Sequence, residues 1–220
     1  MSDEGAHVAR KDAMTSRFTT DSRADQTNER TNRGPDVVAT AVQVMSERGY
    51  AATSMREIAD RVGMLKGSLY YYFTSKEDLL LGILEDSHAQ VEAIATEISS
   101  KGLSPLQELL EYLHDSSLWY LANVERANIF FTDRRHLTGD RYERANHLGR
   151  AFEKKLQKLV RDGQATGEVR ADQDARLIAR FVMGTLNNVR FWTNRNSEGP
   201  SADEMAVALI TLVHDAISAR

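Results

Sequence analysis

From residue 35 onward, apolar side chains recur at intervals of three and four along the chain, which is the period of a helix, and proline is almost absent. Capping signals cut this stretch into segments. Pro35 opens a helix carrying Val37, Val38, Ala41, Val42, Val44 and Met45, and Gly49 stands where such a helix ends. Ser54 with Glu57 caps a short second helix that Gly63 stops, and Ser75 with Asp78 caps a long one. That long helix repeats Leu80, Ile83, Ser87, Val91, Ile94 and Ile98 along one seam. Ser104-Pro105 starts a helix through Trp119, because proline is best tolerated in a first turn. Further helices are expected near Glu125 to Asp133, Asp140 to Gln164 and Gln173 to Trp192, with a loop from Asn194 to Pro200. Ser201 with Glu204 then caps a last helix with Met205, Leu209, Leu212, Val213 and Ala216 on one face. The predicted fold class is all-α. Met1 to Gly34 has no period and few large apolar groups, and reads as a disordered arm.

Composition narrows the function classes. The 220 residues are 41% hydrophobic, enough for a substantial core, and no run reaches the roughly 18 apolar residues of a membrane helix. No signal peptide is evident, so the expected location is the cytoplasm. Cysteine is absent, which excludes disulfides, thiolate nucleophiles and cysteine-ligated metals. A net charge of -4 confines any nucleic-acid contact to a local patch. Phosphate-cradling glycine loops and nucleophile elbows are missing, and the six histidines are scattered. Asp140, Glu143 and His147, and the pair Glu85 and His88, read as solvated helix faces. No catalytic set, metal site or cofactor is therefore expected.

The segment from Thr53 to Lys76 is the most informative. Its two short helices are too brief to be stable alone and must pack on each other. Ala59 is small where they would cross, Gly63 supplies a left-handed turn, and Ile58, Val62, Met64 and Leu69 are placed to face inward. This is a helix-turn-helix pattern. The second helix presents Lys66, Ser68, Tyr70, Tyr71 and Tyr72, whose hydroxyls and ammonium suit phosphates and base edges in a major groove.

The runs Met55-Arg56-Glu57-Ile58-Ala59, Val62-Gly63, Lys66 to Phe73 and Ser75 to Leu80 resemble the TetR family signature almost residue for residue. That resemblance implies an amino-terminal helix-turn-helix domain on double-stranded operator DNA, followed by a larger helical domain for ligand binding and homodimerisation. It implies DNA contacts for Arg56, Lys66, Gly67, Ser68, Tyr70, Tyr71, Tyr72 and Lys76, with Tyr72 standing where the family often has histidine. It also implies a dimer through the last two helices, pairing Ala175, Ile178, Ala179 and Val182 with Met205, Leu209, Leu212 and Val213. The expected division is an arm at 1–34, a DNA-binding domain at 35–80 and a ligand-binding and dimerisation domain at 81–220.

In the third part, large apolar groups cluster around Trp119, around Phe130 and Phe131, and again from Phe181 to Trp192. Such clusters line a cavity or fill a core. Asn187 and Asn188 interrupt the last of them, Arg180, Arg190 and Arg195 flank it, and Arg134-Arg135-His136 follows Phe131. Arginine beside aromatic rings suits phosphate and adenine. The candidate ligand set is Trp119, Phe130, Phe131, Arg134, Asn187, Arg190, Phe191 and Trp192. The stretch from Gly184 to Trp192 with Gly199-Pro200 is similar to TetR-type regulators of fatty-acid and steroid catabolism that respond to acyl-CoA thioesters, so the resemblance implies a repressor released by a small-molecule inducer of that class. Two other readings stay open on sequence alone: a helical enzyme acting on an acyl-CoA or hydrophobic substrate through a histidine such as His136, and an adaptor that binds protein through its tyrosines.

Overall fold

The computed structural model describes residues 34–192 and 199–219. The predicted arm before Gly34, and Arg195 with most of the predicted 194–200 loop, lie outside the described residues. Within them the chain is helical, with no strand and a single bridge between Val169 and Ser218. Helix α1 (Gly34–Arg48) ends at Gly49, whose positive φ of 79° only glycine adopts without strain. Helix α2 (Met55–Val62) is capped by the Ser54 hydroxyl, which accepts from the Glu57 amide, and Gly63 at φ 73° turns the chain into α3 (Lys66–Tyr72). Helix α4 (Lys76–Ser99) starts at the Ser75 cap. The rest comprises α5 (Pro105–Ala122), α6 (Val124–Thr132), a 3₁₀ turn (Asp133–His136), α7 (Gly139–Thr166), α8 (Ala175–Asn188) with a 3₁₀ turn (Val189–Phe191), and α9 (Ala202–Ile217). Ser104 with Gln107 and Ser201 with Glu204 form reciprocal capping boxes at the starts of α5 and α9.

Two apolar clusters organise these helices. The first gathers the buried face of α1 with Ile58, Ala59 and Leu69, and with Leu79 to Leu81, Ile83 and Leu84 of α4. The second holds α5, α7, α8 and α9 together around Tyr112, Leu113, Leu156, Val160, Val182 and Leu209. Helix α4 belongs to both, since its distal half adds Val91, Ala95 and Ile98 to the second cluster. Between the halves lies buried Ser87, whose hydroxyl donates to the Ile83 carbonyl at 2.7 Å. The expected boundary after residue 80 thus falls inside a continuous helix. The first cluster also takes in Ile129, Leu137 and Ala145 from α6, the following turn and α7, so the head formed by α1 to α3 shares its core with the larger domain.

The apolar face expected for dimerisation needs correction. Ile178, Ala179, Val182, Leu209 and Val213 are buried within the chain's own second cluster, Met205 is buried as well, and of the residues named only Leu212 is strongly exposed. The outward stripe is instead Leu177 and Phe181 on α8 with Val207 and Leu212 on α9. The error is one of rotation about the helix. Both faces of these helices are apolar, and a period of 3.6 does not tell which face a helix gives to its own core.

Gly82 on α4 sets how closely α3 can end against it. A Cβ there would come 2.8 Å from Cε1 of Phe73, the half-buried residue that closes the recognition helix. Relieving such an overlap costs about 1–3 kcal/mol, a range whose middle exceeds the roughly 1 kcal/mol by which alanine exceeds glycine in a helix. Gly82→Ala is therefore expected to lower the urea midpoint and weaken operator binding; a variant as stable as the parent would contradict this packing account.

Candidate nucleic-acid interface and ligand cavity

The exposed side of α3 carries Lys66, Gly67, Ser68, Tyr70 and Tyr71, while Leu69 points the other way and is fully buried. Tyr71 is 83% exposed and, with Leu65 at 81% and Tyr70 at 41%, leaves a run of apolar and aromatic groups in solvent at this end of the fold. Tyr72 is half-buried and meets Tyr71 edge to face at 5.6 Å. The Lys66 ammonium lies 5.7 Å from the Tyr70 ring centre. Arg56 extends from the first turn of α2 with 79% of its side chain in solvent, 3.8 Å from Asp60. The angle between α1 and α2 is held by Arg48 to Glu57 at 3.1 Å and by Arg61, which donates to both Glu47 oxygens at 2.9 Å. Leu65, not singled out in the sequence, precedes α3 and is 81% exposed, an apolar group beside Lys66 and Ser68 of a kind that suits the methyl group of thymine. Its signal was an apolar residue next to the turn that fits no helical seam.

Lys76 departs from expectation. Its ammonium donates to the carbonyls of Tyr50 at 2.8 Å, Ala51 at 3.3 Å and Thr53 at 2.8 Å, and lies 4.4 Å from the Tyr50 ring centre. An ammonium has three protons, and all three are engaged here. Lys76 is thus a clamp between the start of α4 and the α1–α2 loop, and its side chain is not presented to DNA.

A cavity of about 310 Å³ opens in the larger domain. Ser87, Val91, Tyr120 and Phe152 form its buried part, with Trp119, Phe130, Phe131, Met183 and Asn187 along the walls and the exposed Arg134 and Arg150 at its edge. Trp119, Tyr120, Phe131 and Phe130 make a chain of aromatic contacts with ring centres 5.2 to 5.9 Å apart. The Trp119 indole donates to the Gln90 side chain at 3.0 Å. His88 also lines the cavity, and burial lowers its pKa from the ordinary value, favouring the neutral imidazole.

Five of the eight expected ligand residues therefore line one cavity: Trp119, Phe130, Phe131, Arg134 and Asn187. The other three do not. Arg190 stacks between Phe131 and Phe191, 4.4 and 4.1 Å from their ring centres, and its Nε donates to Asn128 at 3.0 Å. It braces the cavity from behind. Phe191 and Trp192 point into solvent, 65% and 41% exposed. The α7 wall, made of Asn146, Gly149, Arg150, Phe152 and Glu153, was not anticipated, because in sequence it resembles a solvated helix face.

The joint between head and larger domain lies beside this cavity. Two residues after Arg134, His136 stacks on Tyr50 with ring centres 4.8 Å apart and planes 20° apart. The Glu77 carboxylate accepts from both the amide and the hydroxyl of Thr138, the residue just before α7. Arg144 pairs with Glu85 at 2.6 Å. His136, on which an enzymatic reading rested, is thus committed to a ring stack and is not among the cavity-lining residues.

Residues 37–83 match the family model described as "Bacterial regulatory proteins, tetR family", and residues 102–217, over half of the chain, match "Tetracyclin repressor-like, C-terminal domain". The chain belongs to the TetR family. Among TetR-family relatives, the HTH-type transcriptional repressor KstR2 of Rhodococcus jostii (strain RHA1) is 28% identical over 200 residues, covering 89% of this chain and 96% of that protein. The solved structure of the ketosteroid transcriptional regulator KstR2 of Mycobacterium tuberculosis superposes with a TM-score of 0.75 at 25% identity, over 86% of this chain and 96% of the other. A complex of AibR with isovaleryl coenzyme A and operator DNA shares the TetR-type fold, with a TM-score of 0.74 at 20% identity over 82% and 97%. No helix among the described residues is long and apolar enough to cross a membrane.

The two lysines separate contact from clamp. Lys66→Ala is expected to weaken operator binding and to reduce the slope of log affinity against log salt by about 1, with the melting temperature unchanged. Lys76→Met leaves three carbonyls without their donor, so it is expected to cost about 1–3 kcal/mol of stability. Calorimetric melting and binding titrations at several salt concentrations would expose an interchange of these effects, which would reverse the assignments.

Proposed function

We propose that this chain is a homodimeric transcriptional repressor that holds a near-palindromic operator and releases it when an acyl-CoA thioester occupies the cavity. The observation that carries the reading is that one helix bounds both functions: α4 packs behind the recognition helix at its start and supplies Ser87, His88 and Val91 to the cavity a few turns later. At 310 Å³ the cavity lies at the small end of ligand pockets, so it takes the acyl part and leaves the nucleotide outside. The relatives point the same way, since the curated repressor KstR2 spans nearly this whole chain and AibR, which shares the fold, holds isovaleryl coenzyme A with operator DNA.

Assembly rests on the outward stripe of Leu177, Phe181, Val207 and Leu212, which a monomer would leave in water. A two-fold dimer places two copies of α3 in successive major grooves, which is why the operator should be a near-palindrome. A ligand releases DNA only by its differential affinity for two arrangements of the heads. The physical link is short: a ligand that draws on Arg134 pulls a 3₁₀ turn whose last residue stacks on Tyr50 of the head.

The decisive experiment starts with operator selection from random DNA and follows release of the selected duplex by fluorescence anisotropy. Acyl-CoA thioesters, isovaleryl-CoA among them, are expected to release it, the free acids far less, and Trp119→Ala is expected to blunt the response. Leu212→Glu is expected to give monomers whose operator affinity falls on the order of a hundredfold, whereas Leu209→Glu, buried in the chain's own core, should unfold the domain. Equal potency of acids and thioesters would reject the CoA reading, and a parent protein that sediments as a monomer at micromolar concentration would reject the dimer.

A further inference from the structure

Resting on that reading, we infer that Arg134 and Arg150 form an anion-binding rim that seats the phosphates of the thioester's nucleotide outside the cavity, across the bare backbone of Gly149. Arg134 lines the cavity, is exposed, and has no carboxylate within ion-pair distance among the described residues. An arginine at the mouth of an apolar cavity without an internal counter-charge is a cation placed for an external anion. Arg150 stands on α7 directly after Gly149, with 55% of its side chain in solvent, and its pairing with Glu143 is loose at 3.6 Å. Glu153, the carboxylate that lines the same cavity, is already spoken for by Arg180 at 3.1 Å and Gln157 at 3.2 Å. The charge left at the mouth is positive.

Gly149 lies between the two arginines in the middle of a 28-residue helix, where glycine costs roughly 1 kcal/mol against alanine. Nothing in its backbone requires glycine, since its φ is not among the positive values. The Arg134 guanidinium lies against the helix there, with Nη1 3.8 Å from where a Cβ would stand, an ordinary contact distance. A low, cationic saddle over α7 thus leads out of the aromatic cavity. The interior gives the orientation, with the rings of Trp119, Tyr120, Phe131 and Phe152 favouring the acyl end and the rim favouring the anionic end. A carboxylate on a short ligand would find the same two guanidinium groups, so the source of the anion has to be separated by experiment.

Calorimetric binding and operator release are measured together on the full-length dimer with three probes: an acyl-CoA, the same acyl group on pantetheine without phosphates, and the free acid. Arg134→Ala and Arg150→Ala are each expected to weaken acyl-CoA binding about tenfold, Arg150→Lys to recover most of that loss, and pantetheine-ester binding to stay as in the parent. Parent-like acyl-CoA binding in both alanine variants, or equal losses for the CoA and pantetheine esters, would overturn the rim while leaving acyl-CoA-dependent release intact. If only free-acid binding falls in the variants, the rim serves a carboxylate and the phosphate assignment fails. If an acyl-CoA binds without releasing the operator, the repressor reading fails and the variants still decide the rim. If it neither binds nor releases, both fail.

Discussion

Everything in this molecule depends on one helix serving two cores. Helix α4 buries Leu79 to Leu84 in the head and Val91, Ala95 and Ile98 in the larger domain, without an intervening loop. A continuous helix transmits a tilt along its length, whereas a flexible linker would absorb it. The Lys76 clamp makes the near end stiff, because its ammonium ties the α1–α2 loop to the first turn of α4. The recognition helix is therefore set by α4 from two sides, through Lys76 at the loop and through the Phe73 ring against Gly82. The reading face needs no rigidity of its own, which suits a seven-residue helix that could not persist in isolation.

The joint adds a second, shorter connection. His136 on Tyr50, Glu77 on Thr138 and Arg144 on Glu85 fasten the 133–144 segment to the head, and the same segment brings Arg134 to the cavity. Individually these contacts are modest, since exposed ion pairs contribute about 0–1 kcal/mol. Their value is geometric: they oppose sliding of the head against the 3₁₀ turn, so a displacement of that turn has to appear at the head. On the proposed reading, a ligand held in the apolar cavity and at its cationic mouth acts on the head through this segment.

The fold was legible in the sequence because its signals are local. Caps at Ser54, Ser75, Ser104 and Ser201 and turn glycines at Gly49 and Gly63 act within four residues, and each stands where its helix begins or ends. The exposed face of α3 was legible for the same reason. What was not legible depends on rotation or on distant partners. Lys76 resembles a surface cation until three loop carbonyls are brought to it, and the true outward stripe of α8 and α9 differs from the expected one by part of a turn. The α7 wall of the cavity hid in a polar stretch. The order Asn146, Gly149, Arg150, Glu153 is a helical stripe, but only the fold turns it toward the aromatic rings rather than to water.

Whether ligand and DNA are coupled through the α4 frame can be measured directly by the distance between the two heads of the dimer. The chain lacks cysteine, so Ser46→Cys, at an exposed position on α1, offers a single site for a spin label on each head. Pulsed electron spin resonance would then compare the inter-head distance of the operator-bound dimer with that of the dimer holding the acyl-CoA that releases it. A displaced distance distribution, reached with the ligand alone and reversed by adding operator, is the predicted result. Release of the operator with an unchanged inter-head distance would contradict the account.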